Sequence, residues 1–217
     1  MTHNLHNSAE GKNCLVRGFM LLPPNPIYGY YGVDRQLFEP LLLDEEIDPL
    51  AQVVDEESRI WVFYPPGWRR DAYRLYEENL VKAERYDLGL LSDVEVARKI
   101  QLIIKPHIGP YKIVFCEVWE IDSVQIPEDT TEPGFLGYDI AYPGGDFYSA
   151  VLNGLLKNPH PALVTEYKLL LNEFGLFLST RPIQTYIRRF RDLVPSEVDA
   201  EFCVFRLVLQ PSATAAA

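Results

Sequence analysis

Hydrophobic and polar positions along the chain predict short strands in its first two thirds and at its end. Asn13–Leu22 (NCLVRGFMLL) is apolar at nearly every position, which is typical of a central strand. Arg59–Tyr64 (RIWVFY) consists mainly of β-branched and aromatic residues and is stopped by two prolines. Further strands are predicted at Ile27–Tyr31, Tyr111–Ile121, Phe135–Ala141 and Phe202–Leu209.

Helical periodicity occupies the middle of the chain and its last third. Apolar residues recur at helical spacing from Trp68 to about Arg85, with charged residues between them. Ser92 and Glu95 form a capping box, which predicts a second helix that is ended by Pro106 and by Gly109-Pro110. Other helices are predicted at Gln36–Leu43, at Phe147–Leu156 with Asp146 as the N-cap, at Ala162–Phe174 and at Ile183–Leu193.

This order of elements predicts an α+β fold. We expect a mixed, mostly antiparallel sheet of about five or six strands, with helices clustered in the middle and C-terminal third. Residues 1–12 are polar and are expected to form a disordered leader, residues 13–210 a single domain, and residues 211–217 a frayed tail. A chain of 217 residues buries enough surface to fold without disulfides or a metal.

The charge balance is strongly acidic and narrows the classes of partner. The 31 Asp and Glu outnumber the 20 Lys and Arg, which gives a formal net charge of −11 at pH 7. Polyanions repel such a chain, so neither nucleic acid nor an anionic membrane is an expected partner. A basic protein is attracted by the same charge. A plainer explanation stays open, in which the surplus carboxylates keep the protein in solution.

Cysteine usage and hydropathy predict a cytoplasmic location. Cys14, Cys116 and Cys203 are widely spaced, and each lies in an apolar run. This pattern is typical of buried free thiols in a reducing compartment. The sequence has no run of eighteen apolar residues that would predict a membrane span. Its first residues also lack the basic and then apolar pattern of a signal peptide.

Standard catalytic and metal-binding motifs are absent from the sequence. His107 and His160 have no Cys, Asp or second His at ligand spacing, and His3 and His6 lie in the polar leader. The patterns of serine nucleophiles and of phosphate-binding loops are also missing. The sequence therefore predicts no catalytic residue, no metal and no cofactor, and it favours a non-enzymatic role.

Two carboxylates leave an enzymatic alternative open. Asp139 interrupts an apolar strand, and Asp146 follows across a strand end and a glycine-rich turn. A pair of acids is sufficient for some hydrolases. The alternative function is thus an enzyme or small-ligand-binding protein with a site around these two residues. The structural explanation also stays open, in which the Asp139 side chain faces solvent or accepts a hydrogen bond from the amide of a nearby turn.

Tyrosines beside carboxylates predict a protein-binding face. Aromatic rings supply contact area, and charges steer a basic partner towards it. The residues predicted to contact the partner are Tyr28, Tyr30, Tyr31, Asp44, Glu45, Glu46, Tyr138, Asp139, Tyr142 and Asp146. The alternative is that the rings belong to the core and the charges solvate loops.

Two segments carry a resemblance to a known class of proteins. Gly134–Leu155 (GFLGYDIAYPGGDFYSAVLNGL) and Asn172–Phe177 (NEFGLF) resemble the small acidic α+β immunity proteins that bacteria carry beside secreted or contact-delivered toxins. The resemblance implies a protein that buries the active site of a cognate toxin and performs no catalysis itself. The expected function is therefore an acidic protein-binding module, an immunity-type inhibitor of a basic partner such as a toxin.

Overall fold

An antiparallel β-sheet forms the centre of the fold. The computed structural model describes residues 14–22, 26–30, 33–36, 52–54, 61–63, 67–82, 89–108, 110–121, 126–128, 131–142, 148–152, 154–155, 159–194 and 201–211. In chain order the elements are β1 (Cys14–Leu22), β2 (Pro26–Tyr30), β3 (Val33–Gln36), β4 (Gln52–Val54), β5 (Trp61–Phe63), α1 (Gly67–Glu78), α2 (Val94–Ile108), β6 (Lys112–Glu120), β7 (Phe135–Tyr142), β8 (Tyr148–Ser149), α3 (Ala150–Leu152), α4 (Pro161–Tyr167), α5 (Ile183–Leu193) and β9 (Cys203–Leu209). The main sheet has the order β1-β6-β9-β7-β8, and its neighbouring strands are antiparallel.

The predicted α+β class is confirmed, whereas the predicted number of strands is not. Four full-length strands make up the main sheet, and β8 adds only two residues at its edge. The other described strands pair separately, β2 with β3 and β4 with β5. The leader, most of the helix predicted at Gln36–Leu43 and most of the tail lie outside the described residues; Gln36 itself ends β3.

Elements with long apolar runs lie where the sequence predicts them. The strands β1, β2, β6, β7 and β9 agree with their predicted bounds to within one residue, and α5 spans Ile183–Leu193 as predicted. Nearly every residue of β7 and β9 is buried. A continuous apolar run therefore marks a strand that is covered on both faces.

The first helix, α1, ends at Glu78 and not near Arg85, because the chain that follows pairs with the sheet. Leu80 forms a bridge with Leu91, and Leu91 forms a second bridge with Phe19 of β1. Extended pairing satisfies backbone groups that a longer helix would otherwise satisfy. The predicted helix is therefore too long.

The second helix, α2, is capped by Asp93 and not by the capping box at Ser92. The carboxylate oxygen Oδ1 of Asp93 accepts a hydrogen bond from the backbone amide of Glu95 at 2.7 Å. The Ser92 hydroxyl is occupied elsewhere, because it donates to the carbonyl of Asn79 at 3.1 Å. The helix continues through Pro106, the first of its two predicted stops, and ends at Ile108, directly before the second stop at Gly109-Pro110.

The stretch predicted as one helix at Phe147–Leu156 is divided between strand and helix. Tyr148 and Ser149 pair with β7, and Ala150–Leu152 form a single helical turn. The predicted N-cap, Asp146, lies outside the described residues. Pairing with a sheet edge has replaced the helical bonds that the local sequence favours.

Asn172 turns the chain after α4 and makes this helix shorter than predicted. Its Oδ1 accepts the backbone amides of Phe174 and Leu176, both at 3.0 Å. Its Nδ2 donates to the carbonyl of Leu136 in β7 at 2.6 Å. The regular helix therefore ends at Tyr167, with a short 3₁₀ turn after it, and does not reach Phe174.

Helices cover one face of the main sheet in two separate groups. Side chains alternate between faces along a strand, so Ile113, Glu117 and Trp119 of β6 share one face. Ile113 belongs to a core that contains residues of α1 and α2. Trp119 belongs to a core that contains residues of α4 and α5. Glu117 therefore lies between the two helical groups.

Candidate functional site

Two of the predicted contact residues, Tyr138 and Asp139, lie in the interior. Tyr138 is 0% exposed and Asp139 is 2% exposed, because β7 is covered on both of its faces. The Tyr138 hydroxyl donates to the carbonyl of Pro127, and burial raises the pKa of this tyrosine. Neither side chain reaches the surface, which corrects their predicted place on a partner-contacting face.

The other predicted contact residues lie at the surface or beyond the described ranges. Tyr142 ends β7 and is 42% exposed, so it stays a candidate contact residue. Tyr28 and Tyr30 lie in β2, of which the structure describes the backbone pairing. The predicted residues outside the described part of the chain are Tyr31, Asp44, Glu45, Glu46 and Asp146.

Charged side chains that were not predicted as a site form a row across the main sheet. Arg17 of β1 pairs with Glu117 of β6, Glu117 pairs with Arg206 of β9, and Arg206 pairs with Tyr138 of β7. Cross-strand partners share a face, so the row lies between the two helical groups. The sequence does contain an indication of this row, because Arg17, Glu117 and Arg206 are each a single charged residue within the apolar run of a strand.

The row is held by ion pairs that use both oxygens of one carboxylate. Glu117 Oε2 accepts from Arg206 Nη1 at 3.0 Å, and Glu117 Oε1 lies 3.1 Å from Arg17 Nε. Arg206 Nη2 also donates to Glu132 Oε2. At the other end, Arg17 Nε donates to Cys14 Sγ at 3.3 Å. Glu117 is thus the carboxylate that joins the two arginines.

Electrostatics keep the two arginines charged and the cysteine protonated. Burial disfavours the Arg206 cation, but the hydrogen bond to Glu132 and the charge of Glu117 raise its pKa above the usual value. Burial disfavours the Arg17 cation too, but the hydrogen bond to Cys14 and the charges of Cys14 and Glu117 together raise its pKa. Burial also raises the pKa of the Cys14 thiol, against the opposing influence of Arg17. Cys14 therefore lacks the thiolate character that a nucleophile needs.

The row compensates its own charges and is suited to a structural role. Two arginines face two glutamates, and the central pair, Glu117 and Arg206, has side chains that are only 9% and 6% exposed. The outer residues Arg17 and Glu132 reach solvent, with side chains 46% and 40% exposed. Arg206 also lies 5.5 Å from the ring centre of Phe135. The network offers no surplus charge for a ligand, and its cross-strand pairing favours one strand register.

Asp139 and Ser149 form a second buried polar pair. The Ser149 hydroxyl donates to Asp139 Oδ1 at 2.7 Å, and the backbone amide of Ile140 donates to the same oxygen at 2.8 Å. Asp139 does not face solvent, because it pairs across the sheet with Phe205 in an apolar core. The bond to Ser149 links β7 to β8, so the geometry favours a structural role for this carboxylate.

The acidity of the chain is concentrated outside the described residues. The described ranges hold sixteen of the 20 Lys and Arg and fifteen of the 31 Asp and Glu. The rest of the sequence therefore contains sixteen carboxylates against four cations. Two acidic clusters of the sequence, Asp44–Asp48 and Asp55–Glu57, lie among these remaining residues.

Comparison with known proteins finds no matching family model, no matching curated protein and no matching solved structure. Among the described residues, no group of three or more His, Cys, Asp and Glu is placed to hold a metal ion. Within the same ranges, no helix has the length and hydropathy needed to cross a membrane.

Proposed function

We propose that this chain is an acidic protein-binding module that binds and inhibits a basic partner. The observation that carries the proposal is the clustering of acidic residues along the sequence: Asp44, Glu45, Glu46 and Asp48 form one cluster, and Asp55, Glu56 and Glu57 form a second. Negative charge at such density accelerates association with a basic protein and selects against acidic competitors.

The more specific form of the proposal is an immunity-type inhibitor of a toxin. It rests on the resemblance of Gly134–Leu155 and Asn172–Phe177 to bacterial immunity proteins. An inhibitor of this type buries the active site of its partner and needs no catalytic group of its own. Tyr142, exposed at the end of β7, is the described aromatic residue that we propose as a contact.

We also propose that the protein acts in the cytoplasm. Cys14, Cys116 and Cys203 are all free thiols. Burial raises the pKa of Cys116 well above its ordinary value, and Cys203 is buried too. Free, unreactive cysteines are typical of proteins in a reducing compartment.

The proposal predicts that neutralising the acidic cluster Asp44–Glu46 weakens partner binding. We expect the triple variant Asp44→Asn, Glu45→Gln, Glu46→Gln to raise the Kd for a basic partner about tenfold, since each charge contributes about 0.5 kcal/mol at an interface rim. The partner is first identified by co-purification at low salt, and the Kd is then measured by calorimetry.

A matched control is available on α1. Asp71→Asn, Glu77→Gln, Glu78→Gln removes the same three charges from exposed positions of a described helix. We expect this variant to change the Kd by less than about twofold. If both variants weaken partner binding equally, the weakening comes from the overall charge of the chain and not from the acidic cluster. Retention of a metabolite and of no basic protein would contradict the proposal itself.

The alternative proposal, an enzyme or ligand-binding site around Asp139 and Asp146, is favoured by one observation. Asp139 is a buried carboxylate beside a hydroxyl, an environment also found in active sites. If the role of Asp139 is structural, we expect Asp139→Asn to lower the free energy of unfolding by about 1 kcal/mol and to leave partner binding unchanged. Urea unfolding and calorimetry measure the two quantities, with the exposed Asp192→Asn as the control. Loss of a small-molecule activity at unchanged stability would support the alternative.

A further inference from the structure

A groove lined by basic residues lies beside α2. It has a volume of about 910 Å³ and runs between this helix and the ends of β6 and β9. Arg98, Leu102 and Lys105 recur along α2 at helical spacing and form one wall. The opposite wall contains Gly134, whose carbonyl accepts the Leu209 amide at 2.7 Å. This volume lies within the range of about 300–1,000 Å³ that is usual for ligand pockets.

The charge of the groove is opposite to that of the chain. Among the described residues, four cations, Arg98, Lys99, Lys105 and Lys112, line it together with one acid, Glu95. Arg98 forms an ion pair with Glu95, and Lys99 and Lys105 are exposed on the same helix. A local surplus of cations in a chain of net charge −11 is a distinctive feature of this surface.

An apolar side chain lies among these cations. Leu102 is 68% exposed on the outer side of α2, whereas Ala97, Ile100 and Ile104 of the same helix are buried in the core. Gln101 donates to the carbonyl of Tyr111 and so fixes the helix to the opposite wall. An exposed leucine with cations around it matches a partner that carries both negative and apolar groups.

We propose that this groove docks an acidic peptide segment of a partner protein, with an apolar residue against Leu102. Charge complementarity selects the occupant, because its carboxylates pair with the exposed Lys99 and Lys105. This surface differs from the acidic cluster of the proposed function, and its occupant has the opposite charge.

The test uses the whole chain and a defined probe. The probe is a fluorescein-labelled peptide of about ten residues, with glutamates around two central leucines, and its binding is followed by fluorescence anisotropy. We expect the variant Lys99→Ala, Lys105→Ala to weaken binding about tenfold, and Leu102→Ala to weaken it about threefold. The matched control, Lys82→Ala with Arg188→Ala, removes two exposed cations outside the groove and is expected to change binding less than twofold.

Each other outcome overturns the proposal. The proposal fails if the wild-type chain does not bind the glutamate peptide, or binds its glutamine counterpart equally well. If the groove variant and the control variant lose the same peptide affinity, the peptide binds through the overall charge of the chain and not through the groove. Tighter binding of a single-stranded oligonucleotide of equal charge identifies a nucleic acid as the occupant. A dimer that forms without peptide and is lost in the groove variant identifies a second copy of the chain. Circular dichroism shows whether every variant remains folded.

Discussion

Replacing Glu117 by alanine is expected to lower the free energy of unfolding by about 3 kcal/mol. The variant removes the carboxylate that accepts both Arg17 and Arg206, and it leaves the Arg206 guanidinium in a position that is only 5% exposed. Removing one partner of a buried ion pair costs about 3–5 kcal/mol, because the remaining charge stays without full compensation. Glu132 still binds Arg206, so the lower end of this range is expected. Urea denaturation measures the loss.

Two further variants test whether the loss of stability comes from the buried, uncompensated charge. The double variant Glu117→Leu, Arg206→Met replaces the pair by apolar side chains and is expected to recover stability to within about 1 kcal/mol of the wild type. Glu166→Ala breaks a pair with Arg189 in which both side chains are more than 40% exposed. We expect this surface variant to cost less than about 1 kcal/mol. A Glu117→Ala protein as stable as the Glu166→Ala protein would contradict the account of the row.

Replacing Gly137 by alanine is the second change with a large expected effect. Gly137 has φ +140 at a bulge in the pairing of β7 with β9. A Cβ atom there would lie 2.7 Å from Leu176 Cβ and 2.9 Å from the carbonyl oxygen of Phe177. Backbone strain and overpacking each cost about 1–3 kcal/mol, so we expect a loss of about 3 kcal/mol.

The matched control for this variant is Gly67→Ala. Gly67 is the first residue of α1, and a Cβ atom there would meet no atom within 4 Å. We expect the Gly67→Ala substitution to change the free energy of unfolding by less than about 0.5 kcal/mol. Hydrogen exchange adds a local measurement, because Gly137→Ala should speed exchange of the Tyr138 amide, which donates to Phe177. If the two alanine variants are equally stable, the structure accommodates a Cβ atom beside Leu176 without a loss of stability.

The parts of the fold that were predictable are those in which the sequence pattern is local. The apolar runs at β1, β6 and β9 predict their strands, and periodicity with a following proline predicts α5. Errors arise where a contact distant in sequence competes with a local preference. Ser92 is a good capping residue, but its hydroxyl bonds to Asn79, and Asp93 caps the helix. Tyr148 and Ser149 pair with β7, although the local sequence favours a helix.

The candidate sites were less predictable than the strands. Glu117 and Arg206 are 89 residues apart, and only the strand order β1-β6-β9 brings them together. Single charges in apolar strands are visible in the sequence, but their partners depend on register. The burial of Asp139 depends in the same way on which elements cover β7. The basic groove joins residues of α2 to residues near the end of the chain, and no local motif marks it.

The proposed function requires the acidic cluster Asp44–Glu46 to bind a basic partner. The most direct measurement is the Kd of the co-purified partner for the wild-type chain, the Asp44–Glu46 variant and the α1 control, at low and at physiological salt. We expect a Kd that rises steeply with salt, a loss of about tenfold at low salt in the acidic-cluster variant, and a loss below about twofold in the control. A Kd that is independent of salt, or a partner that is itself acidic, would contradict the claim.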